Sequence, residues 1–156
     1  MAQVGVVLGS ASDQETMEDC FEYLDGFGIE YELKIASAHR TPEDVREFAT
    51  TAKDNGFKLL IAGAGLAAHL PGVLAAYTTL PVVGVPIASG PMDGLDALYS
   101  MVQMPGGVPV ATVAIGKHGA RNSAVLAAEI LALSNEDIAG KLDEFKKNGC
   151  RIKKTA

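Results

Sequence analysis

A chain of 156 residues, 48% hydrophobic and 21% charged, fits one domain and is long enough for a sizeable core without disulfides or metal. Its net charge of −6 excludes a global basic field that would draw nucleic acid or an anionic membrane. An anionic ligand must then be held by local groups: an arginine, backbone N–H groups, a helix N-terminus.

The N-terminal "MAQVGVVLGS" has no basic n-region and too short an apolar run for a signal peptide. No stretch approaches the roughly 18 uninterrupted apolar residues of a membrane span, so a cytoplasmic location is expected. Residues 4–8, "VGVVL", read as a buried strand ending at Gly9. In "SDQE" Ser12 and Glu15 fit a capping box, and Met17, Cys20, Phe21, Leu24 and Phe27 recur at helical spacing until Gly28. A strand over 30–35 leads into "SAHRTP", where Thr41 caps a helix with Pro42 at its first position. Val45, Phe48, Ala49 and Ala52 are its apolar stripe, and Gly56 ends it. Residues 59–62, "LLIA", read as a strand, "GAGLAAHLPG" opens a short helix to about Thr78, and "PVVGVP" at 81–86 is the fourth strand. A long loop, a helix near 95–102 and a fifth strand over 108–115 follow. The last helices are expected over 122–133 and 135–147, the second capped by Ser134.

Strands alternate with helices, and four strands are near-continuous apolar runs, as when both faces are covered. The pattern predicts an α/β fold, an open five-stranded parallel sheet with helices on both sides. One domain spans 1–156, with a sheet core over 3–133 and a C-terminal helix over 135–148. That helix follows a complete sheet, yet Ile138, Leu142 and Phe145 give it an apolar stripe. Such a stripe must be buried, and a neighbouring subunit is the expected cover. Cys20 falls on an apolar helix face as a buried thiol, and Cys150 lies exposed in a basic tail. The two form no CxxC or disulfide framework, which fits a reducing compartment.

In such sheets ligands bind beyond the carboxyl ends of the strands. The unusual loops "GSASD", "SAHRTP", "GAGLAAHLPG", "IASGPMDGLD" and "GKHGARN" all fall at that edge. At 9–13, Gly9 permits a tight turn, Ser10 and Ser12 offer hydroxyls, and a helix begins, which suits a phosphate. Arg40 can add a charge-assisted contact to the same phosphate, while Asp13 would repel it and belongs on sugar hydroxyls. "GAGLAA" meets the loose dinucleotide-binding pattern but lacks the acidic residue about 20 positions on. Its small residues Gly63, Ala64 and Gly65 instead let a flat ligand lie close to the backbone. His39 and His69, expected on adjacent strand ends, suit proton transfer, whereas His118 reads as a surface residue. No ligand spacing supports zinc.

"GSASD", "SAHRTP", "IAGAGLAAHLPG", "LPVVGVPIAS", "GLDALYSMVQMPGGVPVATVAIG" and "GARNSAVLAAEILAL" together resemble class I 5-(carboxyamino)imidazole ribonucleotide mutase, the catalytic subunit of phosphoribosylaminoimidazole carboxylase. The resemblance covers about residues 4–133. It implies a flavodoxin-like α/β/α subunit, a homo-octamer with active sites at subunit junctions, and no metal or organic cofactor. It also implies an isomerase of purine biosynthesis that moves a carboxylate from an exocyclic nitrogen to ring carbon 4 of a ribonucleotide, through carbon dioxide. Carried over by motif, Ser10, Asp13 and Arg40 would bind the ribose phosphate. His39 would be the general acid/base, and His69 would line the carbon dioxide pocket. The chain departs from the family's pattern at Leu66, where Gly is usual, and at His118, where many members carry a small residue. A sister class takes up free carbon dioxide and lacks "AAHLPG", so His69 favours the mutase. The alternative, by fold analogy alone, is a nucleotide- or flavin-binding module without catalysis, against which the two histidines argue.

Overall fold

The structure, a computed structural model, describes residues 1–152. Its sheet contains β1 (Val4–Leu8), β2 (Tyr31–Ile35), β3 (Leu59–Gly65), β4 (Val82–Ile87) and β5 (Ala111–Thr112), all parallel, in the order β2-β1-β3-β4-β5. This is the flavodoxin-like order, and the direction of winding reverses between β1 and β3. Among the described residues six α-helices cover the sheet: α1 (Gln14–Phe27), α2 (Pro42–Thr51), α3 (Leu70–Tyr77), α4 (Leu95–Val102), α5 (Lys117–Ala132) and α6 (Glu136–Lys147). Among the described residues no helix is long and apolar enough to cross a membrane.

The two-residue period of β1 divides the core. Val4, Val6 and Leu8 face a layer built from α1, α5 and α6, while Val7 faces α2, α3 and α4. Gly5 shares the Val7 face, where a Cβ would stand 2.7 Å from Leu60 and 3.0 Å from Phe48. Glycine there is what lets the Phe48 ring approach the strand. Cys20 is buried, and burial pushes its thiol up to about 12, despite a hydrogen bond from the Ser123 hydroxyl at 3.4 Å. The thiol therefore packs as a small apolar group.

Four expectations are corrected. The stripe of α6 is covered by its own chain: Ile138, Leu142 and Phe145 are buried in the α1–α5 layer, with Phe145 edge-on to Phe27 at 5.2 Å. Each such side chain contributes roughly 1.5–3 kcal/mol, so α6 completes the subunit and gives no argument for a neighbour. Its cap is Asn135, whose side chain accepts the Asp137 and Ile138 N–H groups, rather than Ser134. The fifth strand shrinks to Ala111–Thr112, because Pro109 has no N–H for the ladder and the chain leads in through a turn at Gly106-Gly107, closed by the Val108 N–H on the Pro105 carbonyl at 3.2 Å. Helix α5 in turn begins five residues early, at Lys117 rather than 122.

That early start presses α5 onto the end of the sheet at Gly119. A Cβ on Gly119 would collide with the Ala114 backbone carbonyl, which cannot swing aside as a side chain could. Gly119→Ala is expected to lower stability by about 1–3 kcal/mol, read as a fall in the urea midpoint. An unchanged midpoint would show that α5 does not depend on this contact.

Candidate active site

The loops after β1, β2, β3 and β4 enclose one cavity of about 570 Å³ at the carboxyl edge of the sheet. It sits over the reversal between β1 and β3, where this fold places ligands. Each wall is set by local sequence.

After β1, Ser10 is the N-cap of a 3-10 turn, Ala11–Asp13, that runs directly into α1. The capping box is Ser10 with Asp13, not Ser12 with Glu15. Asp13 is short enough to reach back to the Ser10 N–H at 3.1 Å within the tighter turn. Ser12 instead lays its hydroxyl 2.9 Å from Ser10 Oγ, so both hydroxyls face the cavity together. Burial pushes the Asp13 carboxyl up from its ordinary value, against the opposing pull of the Ser10 N–H and the Arg40 charge.

After β2, "SAHRTP" folds on itself. Ser37 Oγ accepts the N–H groups of His39 at 3.3 Å and Arg40 at 3.2 Å, and the Ser37 N–H donates to Thr41 Oγ1 at 3.0 Å. The Thr41 hydroxyl is thus spent on the turn, and α2 has no side-chain cap. The outcome is a rigid turn that aims His39 and Arg40 at the cavity. Arg40 Nη2 comes within 3.5 Å of the Gly9 carbonyl, beside the Ser10 and Ser12 hydroxyls.

After β3, the backbone turns sharply. The Ala68 N–H reaches the Leu66 carbonyl at 2.9 Å and the His69 N–H reaches Ala67 at 2.8 Å. This places His69 at the N-cap of α3. The expected adjacency of the two histidine-bearing strands is corrected, because β1 lies between β2 and β3. The rings still meet: His39 Nε2 and His69 Nδ1 are 2.7 Å apart, with ring planes at 86°. Gly9, the residue after β1, lines the same cavity between the two loops. At that separation one nitrogen must donate and the other accept, so the pair shares one proton across the contact.

Of the expected site residues, Ser10, Ser12, Asp13, His39, Arg40, Ala64, Gly65 and His69 all line the cavity. Gly63 does not; it belongs to the β3 ladder opposite Leu8 and Val85, where a Cβ would crowd Leu8, Ile87 and Met17. His118 is exposed on α5, outside the cavity. Two polar lining residues were missed. Ser37 was legible as a hydroxyl opening the turn of "SAHRTP", and Ser89 as the first hydroxyl after the buried β4. Among the described residues no three His, Cys, Asp or Glu side chains converge as metal ligands.

Residues 3–151 match the family model described as AIR carboxylase. The chain is 57% identical over 145 residues to the N5-carboxyaminoimidazole ribonucleotide mutase of Bacillus subtilis, covering 93% of this chain and 90% of that one. It is 52% identical over 146 residues to the mutase of the same name from Thermotoga maritima, covering 94% and 84%. The crystal structure of Treponema denticola PurE superposes with a TM-score of 0.83 at 31% identity, covering 94% of this chain and 90% of that one.

The buried Asp13 carboxyl allows a stability test. With its native value raised, the fold binds a proton more readily than the unfolded chain, so this group's contribution is lost as pH rises through the native value. Asp13→Asn should therefore melt higher than wild type at pH 7, with a difference that shrinks toward about pH 4, near the ordinary aspartate value. A difference independent of pH would remove the burial argument.

Proposed function

The chain belongs to the AIR carboxylase family, and from that premise we propose that it isomerises N5-carboxyaminoimidazole ribonucleotide to 4-carboxy-5-aminoimidazole ribonucleotide in purine biosynthesis. The observation that carries the mechanism is the His39–His69 contact at 2.7 Å over a cavity whose other end holds Arg40, Ser10 and Ser12. Arg40 and the two hydroxyls take the ribose phosphate at the start of the Ala11–Asp13 turn, where N–H groups and the dipole favour an anion. Asp13, beside them and partly desolvated, accepts from sugar hydroxyls. Ala64 and Gly65 let the flat heterocycle approach the end of β3.

The chemistry balances on one proton. His39 donates it to the exocyclic nitrogen, the nitrogen–carboxylate bond breaks with its pair moving to nitrogen, and carbon dioxide is freed in the pocket. Ring carbon 4, electron-rich as an enamine carbon, gives its pair to carbon dioxide and becomes tetrahedral. It then returns a proton to His39 and regains aromaticity. His69 lines the carbon dioxide pocket and, across the short contact, holds His39 in the tautomer this cycle needs. The apolar walls at Ala67 and Ala68 limit water around the freed carbon dioxide.

The cytoplasm is the compartment for this reading, and the assembly is the homo-octamer with sites at subunit junctions. Support for assembly lies on α4, not on α6. Leu95, Tyr99 and Val102 repeat at helical spacing and are all exposed, Tyr99 at 58%, with Met92 beside them. Tyr99→Glu should reduce assembly size in light scattering while the far-ultraviolet circular dichroism is kept, and an unchanged size would remove α4 from the interface.

The reaction is tested with N5-carboxyaminoimidazole ribonucleotide in one arm and aminoimidazole ribonucleotide plus bicarbonate in the other. Turnover is expected in the first arm, and turnover confined to the second would replace isomerisation by direct carboxylation. His39→Asn should lower kcat by about 10²–10⁴, with the fold intact by its melt. Activity within a few-fold of wild type would remove His39 from the proton transfer.

A further inference from the structure

Leu66 adopts a backbone conformation that a leucine rarely takes, with φ at 54°. Its side chain is 52% exposed, so core packing does not explain why it is there. A residue with a Cβ in the left-handed region is less stable than glycine in the same place, and such strain concentrates at ligand sites. The question is what the side chain does.

It reaches across the mouth of the cavity to the loop after β4. A Cβ added at Gly90 would stand 2.6 Å from Leu66 Cδ2, so the leucine rests on the bare backbone of Gly90. Gly90 is itself left-handed at φ 74°. One residue earlier, Ser89 packs against the end of β3: a Cβ on Gly65 would run into Ser89 Oγ. Two neighbouring residues of the β3 loop thus interlock with two neighbouring residues of the β4 loop. Among the described residues none hydrogen-bonds the Ser89 hydroxyl, which is half-buried and lines the cavity. It sits beyond β3 from the Arg40–Gly9 end, two strand spacings or about 10 Å away. A mononucleotide whose phosphate lies at Arg40 therefore presents its heterocycle toward Ser89.

Resting on the isomerase reading above, we propose that Ser89 is a hydrogen-bonding contact to the heterocyclic end of the ribonucleotide, and that Leu66 is its positioning residue, clasping the β4 loop through Gly90. The strain at Leu66 is retained because the clasp holds a hydroxyl that no protein group fixes. Glycine at 66 would relax the backbone and release the loop.

The test is steady-state kinetics and thermal melts on the full chain with N5-carboxyaminoimidazole ribonucleotide. Leu66→Gly should raise KM about two- to tenfold, the worth of one hydrogen bond, leave kcat within about twofold, and melt no lower than wild type. Ser89→Ala should raise KM by the same factor, and the double variant no further, since both changes remove one contact. Leu66→Met, which keeps an apolar reach over Gly90, should restore wild-type KM. Gly90→Ala should raise KM in the wild-type background and less in Leu66→Gly, where the clash with the leucine is gone and only the strain of a Cβ at φ 74° remains. Multiplying effects of Leu66→Gly and Ser89→Ala, or an equal effect of Gly90→Ala in both backgrounds, overturns the clasp. A wild-type chain that turns over only aminoimidazole ribonucleotide and bicarbonate overturns the isomerase reading and the inference with it.

Discussion

A parallel sheet covered on both faces leaves polar groups one place to converge. In this chain β1, β3 and β4 are apolar along almost their whole length and buried throughout, save Gly65 at the end of β3. Their hydrogen-bonding groups are spent in the ladders, and any unpaired polar side chain among them would lack compensation. Hydroxyls, imidazoles and the guanidinium of Arg40 are thereby pushed to the carboxyl edge. The same burial makes the loops after β1, β3 and β4 stiff, since each is anchored by a strand that cannot shift without exposing core, while the loop after the edge strand β2 is held by the Ser37 and Thr41 hydrogen bonds. A histidine pair at hydrogen-bond distance across 30 residues of sequence needs such a frame.

Most of the frame was legible in the sequence because the signals that set it are local. β1 and α4 have the bounds their apolar patterns give, and Gly28 ends α1 at φ 68°. The misreadings have local causes as well. Ser10-x-x-Asp13 and Ser12-x-x-Glu15 both satisfy the capping pattern, and only the 3-10 geometry selects the first. The run over 108–115 is apolar and β-branched, but propensity does not count ladder donors, and Pro109 has none. For α6 the stripe was read correctly and its partner was not. Whether an apolar stripe faces its own chain or another depends on the space α1 and α5 leave uncovered, which no local pattern encodes.

The site was legible to the level of loops and less so to the level of contacts. His39 and Arg40 announce themselves by chemistry, whereas Ser37, which holds them, looks like any turn serine until its two accepted N–H groups are seen. His39 and His69 were paired for a reason the sheet order overturns, yet their rings meet across the end of β1. Gly63 shows the converse. A glycine in a ligand-like string served the packing of Leu8, Ile87 and Met17, one residue below the cavity floor.

Several features at this edge run against stability, and they coincide with the cavity. Asp13 keeps a carboxylate in a place where burial disfavours its charge, Leu66 holds a left-handed backbone, and Arg40 and two histidines gather at one cavity. Asp13 does close the capping box with Ser10, but its desolvated charge and the strain at Leu66 work against the fold. They rest on a core close to continuous from α1 through the sheet to α2 and α3, whose burial has to offset them. Local choices that contradict folding mark where another constraint acts. Here they mark one end of one sheet, where an anion, a proton and a flat ring must be held in register, and the tension between edge and core is what separates this chain from a fold of the same order without a site.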